Sequence, residues 1–163
     1  MKTIILISTL FLSLTSSNEV YWRKLTWDDF KMQPPKTKWA SESETTIEYS
    51  VFGKDDKYFP TVLASFNPGG SYIRSHDASM LLHEQTHFDI AELYSRIIQH
   101  ELKIYQGTPF RDKPEQVYDK YVVKWKQDEQ LFDKETKHGT DLEAETTWEK
   151  NVADALVKWP IGG

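Results

Sequence analysis

His83-Glu84-Gln85-Thr86-His87 lies inside an amphipathic run from about Asp77 to Tyr105. With about 3.6 residues per helical turn, positions i and i+4 stack on one face, so both imidazoles can close on one tetrahedral zinc ion. Glu84 projects beside them, where it can reach water at the metal without being a ligand, the general-base position of an HExxH zinc hydrolase. Three fixed residues, two of them the uncommon histidine, recur by chance in roughly one random chain in a few hundred of this length at average composition. The plain alternative is two surface histidines beside a solvated glutamate. Against it, the His83/His87 face continues as Ile90, Ala91, Tyr94 and Ile98, so the imidazoles point toward the core side. Two core-facing histidines without a partner are costly to desolvate, and a metal removes that cost.

The chain around the motif has 163 residues and opens with Lys2, an apolar run from Ile4 to Leu14, and the small residues Thr15, Ser16 and Ser17. That pattern predicts a signal peptide over 1–17 and one domain over 18–163, exported to a periplasm or released. No other stretch has the length and apolarity of a membrane span, so no stable membrane insertion is expected after cleavage. The formal net charge is −5, and −6 once Lys2 is removed, with no block of Lys or Arg to follow a phosphate backbone. Nucleic acid is excluded as a partner on that ground. There is no cysteine, which excludes a disulfide framework and leaves histidine and carboxylate as metal ligands. Six tryptophans and eight tyrosines read mainly as large rings filling a core.

Taken in order, Val20 to Phe30 mixes a short extended piece with a helical turn opened by Thr26 or Asp28, and Pro34-Pro35 breaks it. Alternation from Trp39 to Val51, with Thr45, Ile47, Tyr49 and Val51 on one face, predicts a strand with one side in water. A polar turn over Gly53 to Lys57 and renewed alternation at Val62, Ala64 and Phe66 complete a hairpin. Ser71 to Arg74 reads as a short strand whose free edge can hold an extended peptide, or as an ordinary edge strand. Ser75 or Asp77 caps the motif helix. Pro114 opens a second helix with a stripe of Tyr118, Tyr121, Val122, Trp125 and Phe132, and Thr140 with Glu143 forms a capping box for a last helix that buries Trp148, Val152, Ala155 and Leu156.

A hydrolytic zinc site has three protein ligands, so one is missing from the motif. Glu92 falls about half a turn off the histidine face and is a poor choice. His138, before Gly139 at a helix-to-helix corner, is the preferred candidate, with Asp141 and Glu145 left open. Asp133 reads as a solvated helix charge, or as a carboxylate orienting a ligand histidine. Tyr121, Arg74 and His76 are candidate donors to an oxyanion.

Leu25-Thr26-Trp27-Asp28-Asp29-Phe30, Gly70-Ser71-Tyr72-Ile73, the run from Leu82 to Tyr94, and Phe132-Asp133-Lys134-Glu135-Thr136-Lys137-His138-Gly139 with Trp148 nine residues beyond together resemble the DUF922 family of bacterial proteins, zinc-dependent proteases of the zincin superfamily. The resemblance covers nearly all of the chain after the leader. It implies a zincin-like α+β fold, a small antiparallel or mixed sheet packed on the central HExxH helix with further C-terminal helices. It also implies Zn2+ held by His83 and His87 with His138 as third ligand, and Glu84 as base. Two departures stand out: the family often carries tyrosine where this chain has Phe132, and commonly glutamine near Glu145, which counts against that residue as an essential ligand. The expected activity is hydrolysis of a peptide or protein substrate by a monomer, zinc activating water while Glu84 takes its proton and passes it to the leaving amine. A zincin-like binding domain without turnover and a non-metal, aromatic-rich binding module are the other two readings.

Overall fold

The computed structural model describes residues 19–55, 57–109 and 113–161; the expected leader at 1–17 lies outside the described residues. The chain is α+β. Among the described residues, strands β1 (Val20–Tyr21), β2 (Ser41–Glu42), β3 (Thr45–Lys54), β4 (Lys57–Phe66) and β5 (Tyr72–Ile73) precede helices α1 (Ala78–Leu102), α2 (Lys113–Glu135) and α3 (Leu142–Lys158). One sheet has the order β1-β4-β3 and a two-stranded ribbon joins β2 to β5, every pairing antiparallel.

The hairpin forms because the alternation of its two strands is in register. Ile47 sits opposite Ala64, and Ile47, Val62, Ala64 and Phe66 are all buried. Lys54 faces Lys57 across the turn, where Asp55 takes φ 52°, a left-handed conformation that Asp tolerates better than most residues. The single strand expected from Trp39 to Val51 is instead two, in different sheets. Glu44 makes the break: its N–H donates to Ser71 Oγ, its carbonyl accepts from the Asn67 N–H, and its carboxylate accepts from the Asn67 amide. Those bonds pin the chain to the Pro68-Gly69-Gly70 turn, so the residues before Glu44 leave the hairpin and pair with β5.

The motif helix α1 is central, touching β3, β4, α2 and α3. Asp77 caps it by accepting from the Ser79 N–H. Six consecutive residues, His83 to Phe88, are buried, which is more than one turn, so no face of this part of the helix is freely exposed. One contiguous apolar cluster runs from Phe66 and Phe88 through Ile90, Ala91 and Ile98 to Trp125, Phe132, Val152 and Leu156. The stripe expected on α2 packs against it, and Tyr118 also donates its hydroxyl to the Ile47 carbonyl at 2.7 Å. The expected capping box on α3 is not formed. Asp141 caps that helix, its carboxylate accepting from the Ala144 N–H, because the Thr140 hydroxyl turns back to the Lys137 carbonyl. No helix of the described residues is long and apolar enough to cross a membrane.

The Leu25–Phe30 stretch is clamped to the motif helix. Gln85 accepts the Leu25 N–H at 2.6 Å and donates to Asp89, which also accepts from the Trp22 indole. Asp29 closes the adjoining turn, accepting from the Thr26 N–H and hydroxyl and from both Arg23 terminal nitrogens. Burial alone would raise its carboxyl pKa, but these hydrogen bonds outweigh that and hold it below the ordinary value. A depressed folded-state pKa gives stability that is present above the unfolded value near 3.8 and is lost as pH falls through the folded one. Asp29→Asn is therefore expected to cost about 1–3 kcal/mol at neutral pH. Denaturant unfolding across pH should show wild type and variant converging only in acid; a constant gap would show that the charge is not what matters.

Candidate metal centre

His83 and His87, one turn apart on α1, hold their rings 4.8 Å apart and nearly perpendicular. Each imidazole is fixed from behind by a carboxylate from another helix. Nδ1 of His83 meets Oε1 of Glu145 on α3 at 2.7 Å, and Nδ1 of His87 meets Oε2 of Glu129 on α2 at 2.6 Å. Both Nε2 atoms then face one oxygen, Oδ1 of Asp133, at 3.3 Å each. The ligand atoms of His83, His87 and Asp133 all lie within 4.8 Å of one another. The ring of Phe132, fully buried, stacks on His83 at 4.7 Å and sets its edge against His87 at 4.8 Å. Trp125 extends the network by donating to Glu129.

This arrangement controls protonation. Burial would lower the pKa of His87, but the charge of Glu129 and the hydrogen bonds with Asp133 and Glu129 hold it well above the ordinary histidine value. Burial likewise opposes, and Asp133 and Glu145 reverse, the shift at His83, which is raised. Asp133 is buried enough to be pushed up, yet its contacts with the two histidines hold it well below the usual carboxylate range. The Nε2 atoms are the ones turned toward Asp133, so a metal held there would compete with protons for them.

Glu84 is 2% exposed and lines the same cleft, and among the described residues no hydrogen bond engages its carboxylate. The cleft measures about 630 Å³, with Trp39 to Ser43 along one wall and His138, Gly139 and Thr140 along another. The wall at Trp39 is held by Arg74, whose guanidinium donates to the carbonyls of Pro35, Thr37 and Trp39.

The remaining candidates are dispersed. His138 sits at the rim with its side chain 44% exposed, its Nδ1 3.2 Å from Oδ1 of Asp133 and its ring on Trp39. Glu92 is paired with Arg96, and Asp141 with Lys137 while it caps α3. Glu145 is buried at 4% exposure as the partner of His83. Tyr121, Arg74 and His76 do not line the cleft; His76 lies against Trp27 and Tyr121 beneath Lys120 and Lys124. Asp133, which the sequence favours as a solvated charge, is engaged with three histidines, because the end of α2 docks beside the motif turn. Glu129 is the residue that sequence reasoning missed. A signal was present: it lies four residues after Trp125 and three before Phe132, so a carboxylate interrupts the apolar stripe of α2 on its buried face.

Compared with family models, curated proteins and solved structures, the chain matches none.

Proposed function

We propose that this protein is an exported zinc-dependent peptidase of zincin-like fold, with His83 and His87 holding the metal, a third donor from the end of α2 or the corner after it, and Glu84 as general base. One observation carries the reading. Both imidazoles of the HExxH pair are oriented through Nδ1 by buried carboxylates, so that both Nε2 atoms and a carboxylate oxygen face one point. Metal-binding histidines are held in this way, and two imidazoles with one carboxylate suit a hydrolytic zinc site.

When bound, zinc supplies a Lewis acid that lowers the pKa of water and polarises a carbonyl. The chain's own part follows from geometry. Glu84, whose carboxylate no hydrogen bond engages among the described residues, takes the proton of the attacking water and passes it to the leaving amine. Among the described residues β2 and β5 pair only with each other, and of the two it is β2 whose residues line the cleft, so its edge is the one offered to an extended peptide. Of the six tryptophans, all described, only Trp39 is exposed, which counts against an open aromatic groove and hence against the non-metal binding module.

Elemental analysis tests the reading, with wild type beside His83→Ala and His87→Ala and folding checked for each. About one zinc per chain in wild type, lost in both folded variants, supports the site and justifies a peptidase screen. A folded wild type that takes up none when zinc is supplied overturns it. The carboxylates behind the rings make a further prediction. Glu145→Gln and Glu129→Gln should each weaken zinc binding about 10–100-fold, measured by competition with a chromophoric chelator. Unchanged affinity in both would mean that neither orients a ligand.

A further inference from the structure

We propose that Asp133, and not His138, is the third protein ligand, and that His138 is its positioning partner. This rests on the metal-site reading above and assigns roles within it. The resemblance points to His138, but distance favours Asp133. Its Oδ1 stands 3.3 Å from Nε2 of both His83 and His87. A tetrahedral ion with bonds of about 2.0–2.1 Å has ligand atoms about 3.3 Å apart, so each of these two separations matches one edge of such a tetrahedron. The set of mutually close ligand atoms contains Asp133 and does not contain His138. His138 reaches the cluster through Asp133 itself, Nδ1 to Oδ1 at 3.2 Å.

The way each residue is supported points in the same direction. His83 and His87 each carry a carboxylate on the nitrogen turned away from the shared point, as ligating imidazoles do. His138 has none among the described residues: Nδ1 is 3.2 Å from Asp133, and the ring rests on Trp39 with centroids 4.1 Å apart. Three ligand–partner pairs result. The two imidazoles are oriented by the acceptors Glu145 and Glu129, and the carboxylate of Asp133 is paired with His138, Nδ1 standing 3.2 Å from Oδ1. The corner is shaped for this. Lys137, His138 and Gly139 all have positive φ, 51°, 54° and 81°, and the His138 N–H returns to the Asp133 carbonyl at 2.8 Å. Two consecutive non-glycine residues in the left-handed region are strained, and here that strain folds the histidine back over the helix end. Gly139 permits the close approach, since a Cβ there would stand 3.3 Å from Cγ of His83.

The test uses the full chain with zinc alone, and cobalt as a spectroscopic substitute. X-ray absorption of the zinc protein should count two imidazoles in wild type and two in His138→Ala. Asp133→Ala and the near-isosteric Asp133→Asn should each lose about 100-fold or more in zinc affinity and change the visible cobalt spectrum. His138→Ala should keep one zinc per chain with affinity reduced about 10-fold, and His138→Gln, which retains an N–H donor, should recover most of it. Three imidazoles in wild type falling to two in His138→Ala would make His138 the ligand and overturn the proposal. So would wild-type affinity in both Asp133 variants. A folded wild type that binds no zinc would overturn the metal reading itself, which is a distinguishable result.

Discussion

Glu84→Gln is expected, on the proposed peptidase reading, to leave a folded protein that still binds zinc and hydrolyses peptide about 10²–10⁴-fold more slowly in kcat. The substitution keeps the shape of a side chain that is 2% exposed and removes its negative charge together with its ability to take a proton. Metal should stay, because the donors that converge are His83, His87 and Asp133. Stability should change little, since no hydrogen bond among the described residues depends on the carboxylate. The charge of Glu84 also helps to hold the histidine pKa values up, so the glutamine variant should lose protons from His83 and His87 somewhat more readily. A loss of 10³-fold corresponds to about 4 kcal/mol of transition-state stabilisation, more than a change in cleft polarity alone would explain. Steady-state kinetics at matched zinc content decide the matter. A variant with wild-type kcat would remove Glu84 from the base role, and one that loses its zinc would make it a ligand instead.

The parts of this site that could be read from the sequence are those set by one helix. The spacing of His83, Glu84 and His87 fixes their common face whatever surrounds them, and the apolar continuation through Ile90, Ala91 and Ile98 shows which way that face points; all three are buried. The hairpin was equally legible, because alternation on both strands fixes the register that pairs Ile47 with Ala64. What closes the centre was not. Glu129, Asp133 and Glu145 come from two other helices, 42 to 62 residues from the histidines they touch. Helical periodicity says which side of α2 is buried but not at what height that side meets α1, so it cannot choose between a solvated Asp133 and one that engages three imidazoles. The break between β2 and β3 escaped for a related reason. Glu44 has no turn propensity of its own and is held by Asn67 and Ser71, more than twenty residues away. The Leu25–Phe30 stretch shows its purpose only in three dimensions, where Gln85, a variable position of the HExxH pattern, takes the Leu25 N–H.

Phe132→Ala should be the most damaging single change to stability. The ring is fully buried and touches both motif histidines and Trp148, its centroid 5.5 Å from the indole, so its removal opens a cavity where α1, α2 and α3 meet. Truncating a buried phenylalanine costs about 3–5 kcal/mol, a large part of the ~5–15 kcal/mol that holds a domain of ordinary stability together. At about 2–4 °C per kcal/mol for a chain of this size, the melting temperature of the zinc-free protein should fall by roughly 10–15 °C. Zinc separates two reasons for the loss. A ligand that binds only the folded state raises its stability by an amount that depends on its affinity. If Phe132 only fills the core, excess zinc should raise the melting temperature of wild type and variant by the same increment. The stacking on His83 at 4.7 Å argues for more, because the ring also limits how far that imidazole can tilt away from Asp133. The zinc-induced increment should therefore be smaller in Phe132→Ala than in wild type, and smaller than in Phe132→Leu, which keeps most of the volume. Equal increments in all three proteins would confine Phe132 to packing and leave the orientation of His83 to Glu145 alone.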